Sequence, residues 1–249
     1  MQPAIQDFGL ATLGTMGIVS LIAATTNAFN GALLARRPDH YQHFTLMGVI
    51  FLAYFGGIGG GVLRDILCNK VPSPLVNPWY LICCFAAAGA ALILDYNGTK
   101  IFKDGLFQFM TAFSLPWYAI VGAQTAVDVK LGYIAAVIIG VIATTGGRFL
   151  IDVACNVIPK QLVRGEFWML TAAMTGALYL ICHEALGWSQ VAATAVAFFF
   201  GFGFRLLAQF LGWEEWEPWE PAEVDTSEKK RKTLGEGLRA EFESKSKDA

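Results

Sequence analysis

The chain has 249 residues, of which 55% are hydrophobic and only 15% charged, and its formal net charge is −2 at pH 7. These proportions exclude an ordinary soluble domain. The nearly balanced charge also gives no support for a nucleic-acid partner. The composition therefore indicates a multi-pass protein whose main surroundings are the lipid bilayer.

Seven apolar stretches approach the length of about 20 residues that a membrane-spanning helix requires. They lie at about 9–35, 44–67, 78–95, 106–126, 131–155, 166–183 and 189–212. The sequence thus predicts an all-α membrane protein with seven transmembrane helices within residues 1–213. Residues 214–249 hold 11 of the 20 acidic residues, and we expect them to form a charged, disordered cytoplasmic tail.

Basic residues are concentrated in alternate loops. The first, third and fifth loops carry the pairs Arg36/Arg37, Lys100/Lys103 and Lys160/Arg164, whereas the second and fourth carry one base each and the sixth none. Cytoplasmic loops of membrane proteins hold the excess of Lys and Arg. The N-terminus is therefore predicted to lie outside and the C-terminus in the cytoplasm, and Arg205 is expected to snorkel to the cytoplasmic interface.

A sequence motif at the end of the second span returns at the end of the fifth. Residues 59–72 and 146–159 share seven identical positions at one constant offset. Three spans per unit make the second unit enter the membrane in the opposite direction. The sequence therefore predicts an inverted 3+3 repeat, with repeat one at about 9–95, repeat two at about 106–183 and the seventh helix outside the repeat. A weaker match places Ala24 opposite Ala119.

Glycines are clustered in both copies. Residues 56–61 contain five glycines, and each interior glycine costs a helix about 0.8–1.0 kcal/mol relative to alanine. The cluster predicts an interrupted, kinked second helix, and residues 144–147 (Thr-Thr-Gly-Gly) predict the same for the fifth. Unwound backbone at membrane depth lines a water-filled path in transporters and channels. The alternative interpretation is that the glycines only let the helices pack closely.

Four charged residues, Arg64, Asp65, Arg148 and Asp152, fall inside the spans, where charges favour a functional role. The i,i+4 spacing predicts that Arg148 pairs with Asp152. Arg64 and Asp65 are adjacent, so Asp152 of the other repeat is the predicted partner of Arg64. The alternative for both aspartates is a polar group at a helix end, since each lies ~32 Å along its helix.

Each copy of the motif ends in Cys-Asn followed by a proline, at Asn69 and Asn156, a pattern typical of a helix C-cap. The sequence contains no nucleophile elbow, HExxH, phosphate loop or dinucleotide fingerprint. The five cysteines show no metal-ligand spacing. Neither an enzyme nor a cofactor or metal site is therefore predicted.

The glycine-rich stretch followed by Arg64-Asp65, its repeat on the fifth span and seven spans in about 200 residues resemble the trimeric intracellular cation (TRIC) channel family. The resemblance covers about residues 9–212 and is closest to prokaryotic members, whose domain has also been labelled a glycine transporter. It implies a homotrimer with a water-filled pore through each protomer, kinked second and fifth helices lining that pore, and passage of monovalent cations, mainly potassium. The second copy departs from the family pattern, because Arg148 replaces a third glycine.

The sequence is interpreted as a passive potassium and sodium channel of a prokaryotic plasma membrane. Two alternatives remain open: a secondary transporter of a small zwitterion such as glycine, since inverted repeats also serve transporters, and a packing scaffold without a pore. The residues predicted to form the permeation path are Gly59, Gly60, Gly61, Arg64, Asp65, Thr144, Thr145, Gly146, Gly147, Arg148 and Asp152.

Overall fold

The computed structural model describes residues 14–37, 40–93, 100–163, 165 and 167–215. These residues form eight α-helices and one π-helical turn. The helices are α1 (Thr15–Leu34), α2 (Leu46–Leu67), α3 (Ser73–Val76), α4 (Trp79–Ile93), α5 (Lys100–Asp128), α6 (Tyr133–Ala154), α7 (Met169–Leu180) and α8 (Gln190–Leu211), and the π turn is Ile181–Ala185. The tail predicted over 214–249 lies outside the described residues from 216 onward.

Five of these helices are long and apolar enough to cross a membrane, namely α1, α2, α5, α6 and α8. The other two predicted spans are shorter: α4 has 15 residues, and α7 has 12 and continues into the π turn. The all-α prediction is confirmed for the described part of the chain. Seven membrane crossings stay a prediction.

The two copies of the sequence motif face each other where α2 crosses α6. A Cβ built on Gly59 would lie 3.3 Å from the Cα of Gly147, and a Cβ built on Gly146 would lie 3.3 Å from the Cα of Gly60. Exchanging the two repeats converts one contact into the other. Farther along, Gly56 of α2 meets Ile151 of α6. As the residue number falls along α2, the number of the contacting residue in α6 rises, so the two helices are antiparallel.

Both central helices end in the same capped turn. Asn69 and Asn156 have φ angles of 52° and 57°, in the left-handed region. The amide two residues past each helix cap donates to the carbonyl of the aspartate in the repeated motif at 2.8 Å, from Lys70 to Asp65 and from Val157 to Asp152. This is the hydrogen bond of a Schellman cap. The predicted helix ends are confirmed, and the repeat holds in three dimensions at this point.

The predicted interruption of the two glycine-rich helices is wrong. Both α2 and α6 are continuous through their glycines, and a bend in either stays a prediction. Instead, the glycines let backbones approach: a Cβ on Gly60 would overlap the carbonyl oxygen of Ala143, and a Cβ on Gly57 would lie 2.7 Å from that of Ala24. Close packing of this kind compensates the low helix propensity of glycine. The structure therefore agrees with the packing interpretation.

The first helices of the two repeats also correspond, but not in the predicted register. A Cβ on Gly31 of α1 would lie 3.1 Å from the Cα of Ala53, and a Cβ on Gly122 of α5 would lie 2.7 Å from that of Gly140. Ala53 and Gly140 occupy equivalent motif positions, so Gly31 is equivalent to Gly122. The weaker match that placed Ala24 opposite Ala119 is therefore wrong by four residues, because the contacts between helices set the register and a few shared residue types do not.

Candidate functional site

The four charged residues predicted inside the spans form two separate ion pairs, one buried and one in which Arg148 is partly exposed. The Arg148 Nε lies 2.7 Å from an Asp152 oxygen, as the i,i+4 spacing predicts. The Arg64 Nε donates to Asp65 at 2.7 Å, so the predicted pair between Arg64 and Asp152 is wrong. The antiparallel crossing separates these two residues by about 15 Å along the helix axes. The long Arg64 side chain instead folds back over its own neighbour.

Asp65 anchors the loop that follows α2. Its Oδ2 accepts hydrogen bonds from the backbone amide of Ser73 at 2.7 Å and from the Ser73 hydroxyl at 2.8 Å. Ser73 is the first residue of α3. The carboxylate thus neutralises Arg64 and joins two helices at this end of the molecule, as the end-of-helix interpretation expected.

Asp152 has the equivalent position at the opposite end of the α2–α6 pair. One of its oxygens accepts from the Arg148 Nε at 2.7 Å and lies 2.8 Å from the Nε2 of His40, which is fully buried. Its other oxygen accepts from the amide of Lys160 at 3.4 Å. Asp65 and Asp152 thus each accept a hydrogen bond from the backbone amide of the residue eight positions downstream. His40 lies in the first loop, where no sequence signal indicated a contact with α6.

A small cavity of about 30 Å³ lies between α1, α2, α5 and α6, with room for about two water molecules, and its mostly apolar lining includes five polar side chains. We call it the polar chamber. Its polar lining comes from Asn27, Asn30, Thr111, Thr144 and Arg148. The Asn30 amide donates to the Thr111 hydroxyl at 3.2 Å. These oxygen and amide groups share the lining of the chamber with apolar side chains such as Leu34 and Ile151.

A wider cavity of about 390 Å³ adjoins the polar chamber, and we call it the basic vestibule. Four basic side chains line it, from Arg37, Arg148, Lys160 and Arg205. Phe107, Arg148 and Trp168 line both cavities. The chamber and the vestibule therefore meet at these three side chains.

Arg205 lies inside the bundle, and its predicted approach to the membrane interface stays a prediction. Its side chain is fully buried, and its guanidinium carbon lies 4.8 Å from the centre of the Trp168 ring. The electron-rich face of an indole attracts a cation, which gives this arginine a partner inside the bundle. The basic residues of the vestibule thus come from α8 as well as from the loops.

The predicted path residues have different locations. Thr144 and Arg148 line the polar chamber, and Asp152 holds Arg148. The Thr145 hydroxyl donates back to the carbonyl of Val141. Of the remaining predicted residues, Gly59, Gly60, Gly146 and Gly147 lie at the α2–α6 contact. Beyond that contact, in the C-terminal part of α2, lie Gly61, Arg64 and Asp65. Sequence reasoning missed Phe107 and Trp168, since aromatic residues in apolar segments carry no distinguishing pattern.

A family model described as Glycine transporter matches residues 17–96 and 108–184, one segment in each repeat and more than half of the chain together. The chain belongs to this TRIC-related family. A UPF0126 membrane protein from Deinococcus radiodurans is 29% identical over 159 residues, which cover 64% of this chain and 72% of that protein.

Two solved structures of the family have the same fold. The structure of a TRIC cation channel is 29% identical to this chain in sequence and superposes on it with a TM-score of 0.72. The match covers 82% of this chain and 98% of that channel chain. The trimeric intracellular cation channel orthologue from Rhodobacter sphaeroides is 23% identical with a TM-score of 0.71, over 79% and 98% of the two chains. The second likeness concerns the fold alone. The TRIC resemblance of the sequence is confirmed.

Proposed function

We propose that this TRIC-family protein is a passive channel for potassium and sodium ions. The observation that carries the proposal is the polar chamber, which lies between helices of the two repeats and shares three lining side chains with the basic vestibule. Neutral oxygens such as those of Asn27, Thr111 and Thr144 can replace part of the hydration shell of a monovalent cation. The 29% identical solved structure is that of a TRIC cation channel, which supports the same activity.

The charge balance at the chamber is compatible with a cation path. Arg148 lines the chamber, but its guanidinium is paired with Asp152 at 2.7 Å. A close carboxylate cancels most of the field of the arginine at the distance of a permeating ion. The pair therefore leaves the neutral oxygens of the chamber as the groups that meet the cation.

We further propose a homotrimer in a prokaryotic plasma membrane, with a separate path through each protomer. The R. sphaeroides relative is a trimeric channel, and the D. radiodurans relative is a membrane protein. Each protomer contains its own polar chamber, formed by helices of a single chain. That location supports a path inside each protomer.

Single-channel recording of the purified protein in a planar lipid bilayer tests the proposed activity. We expect unitary potassium currents that reverse at the potassium equilibrium potential and are unaffected by glycine, because conduction through a polar path needs no coupled substrate. Proteoliposomes containing the same protein provide a parallel glycine uptake assay. Saturable, electrogenic glycine uptake without unitary events would contradict the channel and favour a secondary transporter.

Reporter fusions test the membrane orientation. The basic vestibule is lined by residues of the first and fifth loops and of α8, including Arg37 and Lys160, and the excess of basic residues in these loops predicts that this end is cytoplasmic. A fusion after Trp213 should report a cytoplasmic location, and a fusion before Phe8 an external one. Two termini on the same side would rule out an odd number of crossings.

A further inference from the structure

Two aromatic side chains, Phe107 and Trp168, lie where the polar chamber meets the basic vestibule, and both line both cavities. We call this pair the aromatic constriction. Phe107 belongs to α5, and Trp168 directly precedes α7. The vestibule has a volume of about 390 Å³, whereas the chamber has a volume of only about 30 Å³. The proposed ion path therefore runs beside these rings.

Arginine side chains hold both rings of the constriction. The guanidinium carbons of Arg37 and Arg148 lie 5.0 and 5.8 Å from the centre of the Phe107 ring. That of Arg205 lies 4.8 Å from the centre of the Trp168 ring. Cation–π contacts orient an aromatic ring because the cation must stay over its face. Since Arg205 is carried by α8, that helix is coupled to the orientation of Trp168.

Two polar groups at the constriction are unsatisfied in this conformation. Among the residues that the structure describes, neither the Trp168 Nε1 nor the Arg148 Nη2 has a hydrogen-bond partner, and both atoms are buried. A buried donor without a partner costs free energy that hydration would recover. Widening the constriction admits water to these two donors. Hydration of these two donors therefore favours a wider, water-filled conformation over the narrow one.

We propose that Phe107 and Trp168 are the gate of the cation path, closed in this structure, and that Arg205 is a positioning residue which holds Trp168 in the closed orientation. Apolar constrictions in channels close by excluding water from a short stretch of the path. The gate rests on the proposed channel function, because it controls the same path. It adds the residues that regulate conduction to those that line the chamber.

The gate predicts that smaller side chains at the constriction increase channel opening. In planar bilayers with potassium, Phe107→Ala and Trp168→Ala should each raise open probability several-fold over the parent, because water then fills the constriction. Phe109→Ala is the matched control on the same helix, since Phe109 is exposed, and Trp213→Ala is the tryptophan control. Both controls should have the open probability of the parent. Thermal unfolding and size-exclusion chromatography verify that each variant is folded.

The positioning role of Arg205 is tested by two replacements and one combination. Arg205→Met removes the cation with little change in length and should raise open probability as Trp168→Ala does, while Arg205→Lys should restore part of the parental behaviour. In a Trp168→Ala background, Arg205→Met should have no further effect on open probability. A further increase there would show that Arg205 does not act through Trp168.

The possible outcomes separate the gate from the channel function. If the parent conducts and both alanine variants keep its open probability, the gate is wrong and the channel function stands. If the parent is silent and the variants conduct, both inferences are supported. If the parent and all variants are silent in bilayers where a reference pore conducts, the channel function is wrong and the gate fails with it.

Discussion

Replacing Gly60 with alanine will destabilise the folded protein by about 1–3 kcal/mol, the range for overpacking a tight contact. The added Cβ would overlap the carbonyl oxygen of Ala143, which belongs to the backbone of α6 and cannot rotate away. The two central helices must then move apart. Thermal unfolding in detergent, followed by intrinsic fluorescence, measures the loss.

Gly89 provides the matched control for this substitution. It lies inside α4, and a Cβ built on it meets no atom within 4 Å among the described residues. Gly89→Ala should therefore be neutral or stabilise the protein by about 0.5–1 kcal/mol, as expected for alanine in a helix interior. Gly147→Ala should behave like Gly60→Ala, because its Cβ would lie 2.7 Å from the carbonyl oxygen of Gly56. Equal stability of Gly60→Ala and Gly89→Ala would refute a tight α2–α6 contact.

Replacing Asp152 with asparagine will reduce unitary potassium conductance about tenfold. The substitution leaves the Arg148 guanidinium uncompensated where the chamber meets the vestibule. A unit charge about 4 Å from a cation costs between about 1 and 4 kcal/mol, depending on local hydration, and 1.4 kcal/mol corresponds to a factor of about ten. Bilayer recording measures the conductance, with chromatography and thermal unfolding to verify the fold.

A double-mutant cycle assigns this effect to the correct pair of residues. Arg148→Gln in the Asp152→Asn background should restore part of the conductance, because it removes the uncompensated charge. The two substitutions should therefore be non-additive, as expected for residues in contact. Arg64→Gln is the control: Arg64 pairs with Asp65, so its effect should add to that of Asp152→Asn. If Arg148→Gln were additive with Asp152→Asn while Arg64→Gln were not, Arg64 and not Arg148 would be the partner of Asp152.

Much of the fold could be predicted from local properties of the sequence. The length of each apolar stretch predicts helices wherever lipid replaces water, since a backbone in lipid must satisfy its own hydrogen bonds. The motif repeated at one offset predicted two equivalent helix ends, and the left-handed Asn69 and Asn156 confirm them. The i,i+4 spacing of Arg148 and Asp152 sufficed for their contact. These features depend on residues within a turn or two of each other.

The packing role of the glycines in residues 56–61 is set by residues that are distant in the sequence. Isolated helix propensity predicts an interruption at residues 56–61, but Gly57 faces the carbonyl of Ala24 and Gly60 that of Ala143. Each glycine therefore gains a close helix contact that propensity alone does not include. The same limitation affected Arg64, whose distance from Asp152 is set by where the two antiparallel helices cross.

The amino-acid sequence by itself determined the membrane class, the helical segments, the repeat and the capped helix ends, because hydrophobicity and local spacing act within each segment. Only the tertiary structure decided that His40 contacts Asp152 and that Phe107 and Trp168 meet between the two cavities. These groups come from segments separated by 61 to 112 positions. Their contacts depend on how the helices pack, and packing is a property of the whole bundle.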